Sequence, residues 1–103
     1  MEQIKAIKID VKKGKLSDVI IENKVERFKY EIGCKELSAY RFDMDNVIFL
    51  DKAGVYDDSG CHVICELGDC NALIIGIDLS TNNAIDTTLK ASSLRNQIVF
   101  FGQ

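Results

Sequence analysis

The side chains most able to bind a metal lie in one short segment, which contains Cys61, His62, Cys65 and Cys70. Zinc is held by thiolate and imidazole ligands, usually in closely spaced pairs. Here three and four residues separate successive cysteines, and the chain has no second ligand pair elsewhere. We therefore interpret these cysteines as buried thiols and expect neither a metal site nor a cofactor.

Cysteine catalysis requires a nearby base that generates the thiolate. His62 is the only histidine, and on a strand its side chain points away from those of Cys61 and Cys65. Cys34 follows a predicted helix C-terminus, where the helix dipole disfavours a thiolate. The seven glycines are dispersed singly and form no nucleotide-binding loop. The sequence thus favours a protein that is not an enzyme.

Carboxylates are the third candidate chemistry, and they are unevenly distributed. Residues 43–78 contain eight Asp and Glu against a single Lys, a net charge of −7, while residues 1–42 carry +3. Five aspartates fall in three predicted turns: Asp43, Asp45, Asp51, Asp57 and Asp58. They lack the spacing of a calcium loop, and turn formation alone also accounts for them.

These residues are positioned by elements that we expect to surround the segment from Asn71 to Leu79. Leu73 to Ile75 is apolar at every position and β-branched in part, which indicates a central strand covered on both faces. Gly76 within this strand indicates a bulge or the close approach of another backbone.

Alternating apolar residues predict a strand over 3–12, which Lys13-Gly14-Lys15 connects to a second strand at 19–21. A helix is predicted over 23–32, with Asn23 as its N-cap and Gly33 ending it. Its buried face is expected to comprise Val25, Phe28 and Ile32.

Further strands are predicted at 37–42, 47–50 and 61–67, and turns at 43–46, 51–54, 57–60 and 68–69. Residues 80–83 are predicted to be a loop. The C-terminus is predicted to form a helix at about 90–101, with a short strand at 98–101 as the alternative.

The predicted fold is thus a single α+β domain over residues 1–103, with a mostly antiparallel sheet of five to six strands and one or two helices on one face. The chain begins without a signal-peptide pattern and has no apolar run of membrane-spanning length. We therefore expect a soluble, cytoplasmic protein with reduced cysteines that does not contact a membrane.

The order of these segments is similar to that of a known family. The strand and Lys-Gly turn at 7–15, the helix closed by Gly33, and the strand 36–40 come first. The runs 47–54 and 68–76 then follow. Over about residues 4–78 the chain resembles small domains of unknown function encoded by phages, plasmids and conjugative elements. This resemblance implies a mobile-element origin and brings no catalytic residues with it.

The first functional hypothesis is an inhibitor of a host defence system, comparable to anti-CRISPR proteins. Its acidic surface is expected to bind a basic, nucleic-acid-binding host protein rather than nucleic acid itself. The expected partner-binding residues are the five aspartates with two aromatic anchors: Asp43, Asp45, Asp51, Asp57, Asp58, Tyr40 and Tyr56.

The alternative is an oligomeric protein that sequesters a nucleotide messenger between its subunits. Basic residues of the first third would then hold the phosphates: Lys12, Lys15, Arg27 or Arg41. A free sheet edge leaves both a monomer and a homodimer open.

Overall fold

The computed structural model describes residues 2–10, 13–52, 55–59, 62–66, 71–94 and 98–100, with backbone alone for 55–59, 62–66 and 98–100. The strands are β1 Gln3–Asp10, β2 Lys15–Glu22, β3 Leu37–Arg41, β4 Asn46–Asp51, β5 Val55–Ser59, β6 His62–Glu66, β7 Ala72–Asp78, β8 Asn83–Ile85 and β9 Ile98–Phe100. The helices are α1 Val25–Ile32 and α2 Ala91–Leu94.

The predicted central strand is β7. The main sheet has the order β2-β1-β7-β4-β3, and β8 pairs with the last residues of β7. β1 and β4 run antiparallel to β7 on its two edges, so that Ile74 lies opposite Ile7 on one side and Ile48 on the other. β1 and β2 form the predicted hairpin, with Gly14 at positive φ in its turn.

Both faces of this sheet are covered, each by a different part of the chain. On one face α1 packs Phe28 and Ile32 against Leu73 and Ile75 of β7. The ring of Phe28 stacks on that of Phe49, with 5.6 Å between the ring centroids. The sheet side chains on this face and those on the other alternate along each strand.

The opposite face is covered by the segment that follows β8. Ala91 and Leu94 of α2 pack against Ile7, Ile48 and Ile74. The two helices therefore lie on opposite faces rather than on one, because consecutive apolar residues of β7 point in opposite directions and each face needs its own cover.

Helix α1 begins later than predicted. Lys24 is the residue before its first turn and makes no side-chain cap. The side-chain amide of Asn23 instead donates to the Ala84 carbonyl at 3.0 Å, so this residue joins the helix to β8 and is not the N-cap. Val25 is correspondingly exposed, whereas Gly33 ends the helix as predicted, at a φ of 82°.

A second sheet, of order β5-β6-β9, accounts for two differences from prediction. Residues 57–59 belong to strand β5 rather than to a turn, since β5 pairs along its whole length with β6. The predicted helix over 90–101 is wrong at residues 98–100, which pair parallel with β6 as β9. The alternative of a short strand is confirmed for these three residues. The predicted turn residues Ala53, Gly54, Gly60, Gly68 and Asp69 lie outside the described residues.

Gly76 is the point of close backbone approach that the sequence predicted. A Cβ at this position would lie 2.2 Å from the carbonyl oxygen of Asp86 and 3.0 Å from that of Ile85. Ile85 is the last residue of β8, and Asp86 follows it. The sequence analysis predicted a loop over residues 80–83 and did not predict strand β8. The absence of a side chain at Gly76 thus lets β8 pair with β7.

The predicted α+β class with a mostly antiparallel sheet is confirmed. Among the described helices, none has both the length and the apolar character needed to cross a membrane.

Replacing Gly76 with alanine is expected to lower the free energy of unfolding by about 2–3 kcal/mol, because the new methyl group overlaps the Asp86 carbonyl. Gly33→Ala is the matched control. It meets no atom within 4 Å and suffers only from its positive φ, a cost of about 1 kcal/mol. Urea unfolding of both variants measures the difference, and equal losses would contradict the steric explanation.

Candidate functional site

The predicted acidic residues of the main sheet lie at its two opposite ends. Asp43 and Asp45 occupy the turn between β3 and β4, while Asp51 ends β4. A six-residue strand spans roughly 17–20 Å, so Asp51 cannot join the other two in one small contact. Tyr40 lies between these ends, on β3 opposite Ile48, and is exposed.

The other predicted residues are on the second sheet. Tyr56, Asp57 and Asp58 are consecutive residues of β5. The structure describes only their backbone, so their proposed role in binding stays a prediction.

The carboxylate of Asp43 has a structural task. Its Oδ1 accepts hydrogen bonds from the backbone N–H of Asp45 and from Nδ2 of Asn46, both at 2.9 Å. The first donor belongs to the turn, and the second belongs to the first residue of β4. Asp43 therefore fixes the shape of the β3–β4 turn, leaving Asp45 as the exposed carboxylate there.

Asn46 is completely buried and connects this turn to the segment after β8. Its Oδ1 accepts from the Thr87 hydroxyl at 2.6 Å, and its Nδ2 also donates to the Thr88 hydroxyl at 3.3 Å. The Thr87 amide donates in turn to the Lys5 carbonyl. Sequence reasoning placed Asn46 in a turn. The apolar run that begins at the next residue predicts a buried strand there but gives no signal that the Asn46 side chain is buried as well.

A third aspartate, which the sequence analysis did not select, joins the end of the sheet where Asp45 lies. The Ile77 amide donates to the Asp45 carbonyl at 2.8 Å, which places the β3–β4 turn beside the end of β7. Asp78 is the last residue of β7, and its Oδ1 accepts from the Ser80 hydroxyl at 2.7 Å and the Ser80 amide at 3.0 Å. The Ser80 hydroxyl, followed by its amide, lowers the pKa of Asp78 below its ordinary value.

Two large apolar side chains are exposed at the same end. Met44, at the tip of the β3–β4 turn, is 75 % exposed, and Leu79, in the β7–β8 turn, is 50 % exposed. We call Met44, Asp45, Asp78 and Leu79 the hairpin surface. It combines two carboxylates with two exposed apolar side chains.

The basic residues proposed for a nucleotide site are dispersed within one subunit. Lys15 lies on β2 and Arg41 on β3, which are the two outer strands of the main sheet. Arg27, on α1, pairs with Glu31 at 2.7 Å and lies over the ring of Tyr30. Lys12 lies outside the described residues. Among the residues whose side chains are described, these basic residues therefore do not come together in one phosphate-binding site.

Cys34 has the properties of a structural thiol. It is half-buried against the core beneath α1. Desolvation and, secondarily, the negative charge of Asp51 raise its pKa, with Lys29 opposing them. Cys61 and Cys70 lie outside the described residues, as do the side chains of His62 and Cys65. Among the side chains that are described, no three Asp, Glu, Cys or His groups are placed to bind a metal.

Comparison with protein-family models, curated proteins and solved structures gives no match for this chain.

Thr87→Val is expected to lower the free energy of unfolding by about 1–3 kcal/mol, because it leaves the buried Oδ1 of Asn46 without its hydroxyl donor. Thr87→Ser retains the hydroxyl and is the control. Urea unfolding of both variants measures the effect, and a valine variant as stable as the serine variant would show that this hydrogen bond contributes nothing.

Ser80→Ala is expected to raise the pKa of Asp78 towards its ordinary value, since it removes the first of the groups that lower it. A pKa lowered by folding adds stability above the unfolded pKa, and this stability is lost as pH falls through the folded pKa. The variant should therefore lose less stability than the parent on acidification. The carboxyl chemical shift of Asp78, followed against pH, tests this. An unchanged pKa would contradict the assignment.

Proposed function

We propose that this chain is a non-enzymatic protein-binding module that inhibits a host defence system. In this proposal its acidic hairpin surface binds a basic, nucleic-acid-binding host protein. The observation that carries the proposal is the convergence of Asp45 and Asp78 from two separate segments, beside the exposed Met44 and Leu79.

The two kinds of side chain make different contributions to such binding. Exposed carboxylates accelerate encounter with a positively charged cleft and oppose binding to nucleic acid itself. Burial of Met44 and Leu79 against the partner supplies the apolar part of the binding free energy. A partner that normally binds phosphates offers the complementary charge.

The surface is also ordered before any partner arrives. Asp43 fixes the β3–β4 turn through two hydrogen bonds, and Ser80 fixes Asp78 through two more. Side chains held in place beforehand lose less conformational entropy on binding. The same Ser80 contacts lower the pKa of Asp78 and so favour its charged form.

A mobile-element origin is part of this proposal and rests on the order of segments over residues 4–78 alone, since no family model matches the chain. Of the predicted partner-binding residues, Asp45 belongs to the hairpin surface, and Asp43 supports it through its hydrogen bonds in the turn. Asp51 lies at the other end of β4, and Tyr56, Asp57 and Asp58 stay a prediction for the second sheet.

The experiment expresses the chain in bacteria that carry an active nuclease-based defence system and measures plating of a targeted phage. The parent chain is expected to restore plating, and Asp45→Lys combined with Asp78→Lys to abolish the effect. Glu36→Lys combined with Glu26→Lys is the control of equal charge change, because both glutamates are exposed outside the hairpin surface. Loss of protection in the control alone, or in neither variant, would contradict the assigned surface.

If plating is restored, binding of the parent chain to the purified effector should weaken steeply with added salt. Binding that does not depend on salt would exclude an interaction driven by carboxylates.

A further inference from the structure

The face of the main sheet that α1 covers extends beyond the helix. Val47 lies directly opposite Ile75, and Ile77 follows Ile75 by two residues on β7, so the three side chains share this face. Ile75 is buried in the core beneath α1, whereas Val47 and Ile77 are half-buried and do not belong to that core. Part of the apolar surface of the sheet is therefore left without a cover.

A cavity of about 290 Å³ lies over this uncovered part, and we call it the α1 pocket. Three elements supply its larger apolar side chains: Val25 and Phe28 of α1, Val47 and Phe49 of β4, and Ile77 of β7. Val25, which was predicted to be buried, lines this pocket and is 51 % exposed. The pocket thus presents apolar side chains that the described chain does not cover.

The size and lining of the α1 pocket match a single side chain. Sites for drug-sized ligands typically have volumes of about 300–1,000 Å³, and this pocket lies at the lower limit of that range. Its one charged lining residue, Lys24, forms an ion pair with Glu22 at 3.2 Å. Asn23 donates its side-chain amide to a backbone carbonyl, while Asn82 and Asn83 are exposed. The lining therefore favours an apolar group over a charged or phosphorylated ligand.

The α1 pocket adjoins the hairpin surface. Ile77 lines the pocket and directly precedes Asp78, and its amide donates to the Asp45 carbonyl. Asn82 also lines the pocket, and its amide donates to the Asp78 carbonyl at 2.7 Å. A protein bound to the hairpin surface therefore lies beside the pocket.

We propose that the α1 pocket receives one large apolar side chain of the partner protein, flanked in the partner by Lys or Arg. The apolar side chain displaces water from Val25, Val47 and Ile77 and anchors the interface. Its basic neighbours lie near the carboxylates of Asp45 and Asp78. This inference rests on the function proposed above, because it describes how the same partner is held.

The test titrates two peptides with blocked ends into the isotope-labelled chain and follows its amide signals by NMR. The first has the sequence Lys-Lys-Phe-Lys-Lys, and the second has Ala in place of Phe. We expect the Phe peptide to bind at least about tenfold more tightly, and to shift the amide signals of Val25, Val47 and Ile77. Equal affinities would overturn the proposal, as would shifts confined to residues outside the pocket.

Val25→Gln provides the second arm, with Tyr30→Gln as the control. Both residues are exposed on α1, and neither substitution changes the net charge. Val25→Gln should weaken the Phe peptide about fivefold by removing apolar contact area, and Tyr30→Gln should leave its affinity unchanged. Amide spectra of both variants confirm that the fold is retained. Equal weakening by the two variants would overturn the assignment of the pocket.

The plating assay then connects the pocket to the partner. Where the parent chain protects the phage, Val25→Gln should reduce plating and Tyr30→Gln should not. Full protection by Val25→Gln would overturn the proposal that the partner occupies the pocket. A parent chain that binds the Phe peptide in the pocket but gives no protection would support the pocket and contradict the defence role alone.

Discussion

Strand β7 has to be enclosed on every side, and this requirement organises the main sheet. Residues Ala72 to Ile75 are fully buried, so their backbone groups must be paired along both edges and their side chains covered on both faces. β1 and β4 supply the edges, while α1 and the segment ending in α2 supply the faces. Gly76 then allows the chain to approach closely enough for β8 to extend the same sheet. Elements that share this one strand cannot be displaced independently, since a shift of any of them exposes part of β7.

Local sequence patterns correctly predicted the elements whose conformation is set by residues close in sequence. The apolar run of β7, the β1–β2 hairpin and the glycine that ends α1 were all predicted, because each depends on neighbouring residues. The predictions were wrong where the conformation of a residue is set by a segment distant in sequence. Asn23 has the side chain of an N-cap but donates it to Ala84, and residues 57–59 have turn-forming side chains but pair with β6. The apolar residues 98–100 fit a helix or a strand equally well, and parallel pairing with β6 decides between them.

The same distinction explains how much of the candidate site was visible beforehand. Asp45 was selected from the acidic composition of its segment, but its neighbour in space, Asp78, belongs to the end of β7 and reaches it only through the β4–β7 pairing. Met44 lies in a turn that was predicted, but its position at the same end of the sheet as Leu79 follows only from the β4–β7 pairing. Asn46, the buried residue that ties one of these turns to Thr87 and Thr88, has a residue type that sequence patterns assign to turns. Composition thus identified the charge of the surface, and topology was needed to identify its members.

The hairpin surface depends on contacts in the interior of the protein. It lies on turns that extend from β4 and β7, and the start of β4 is held by the bonds of Asn46 to Thr87 and Thr88. Loss of the Asn46–Thr87 bond would loosen this part of the sheet, because it leaves a buried amide oxygen without its donor. Met44 and Asp45 are exposed, so their substitution leaves the core intact. A loss of binding that accompanies a loss of stability therefore indicates a damaged support, whereas a loss of binding at unchanged stability indicates a residue that contacts the partner.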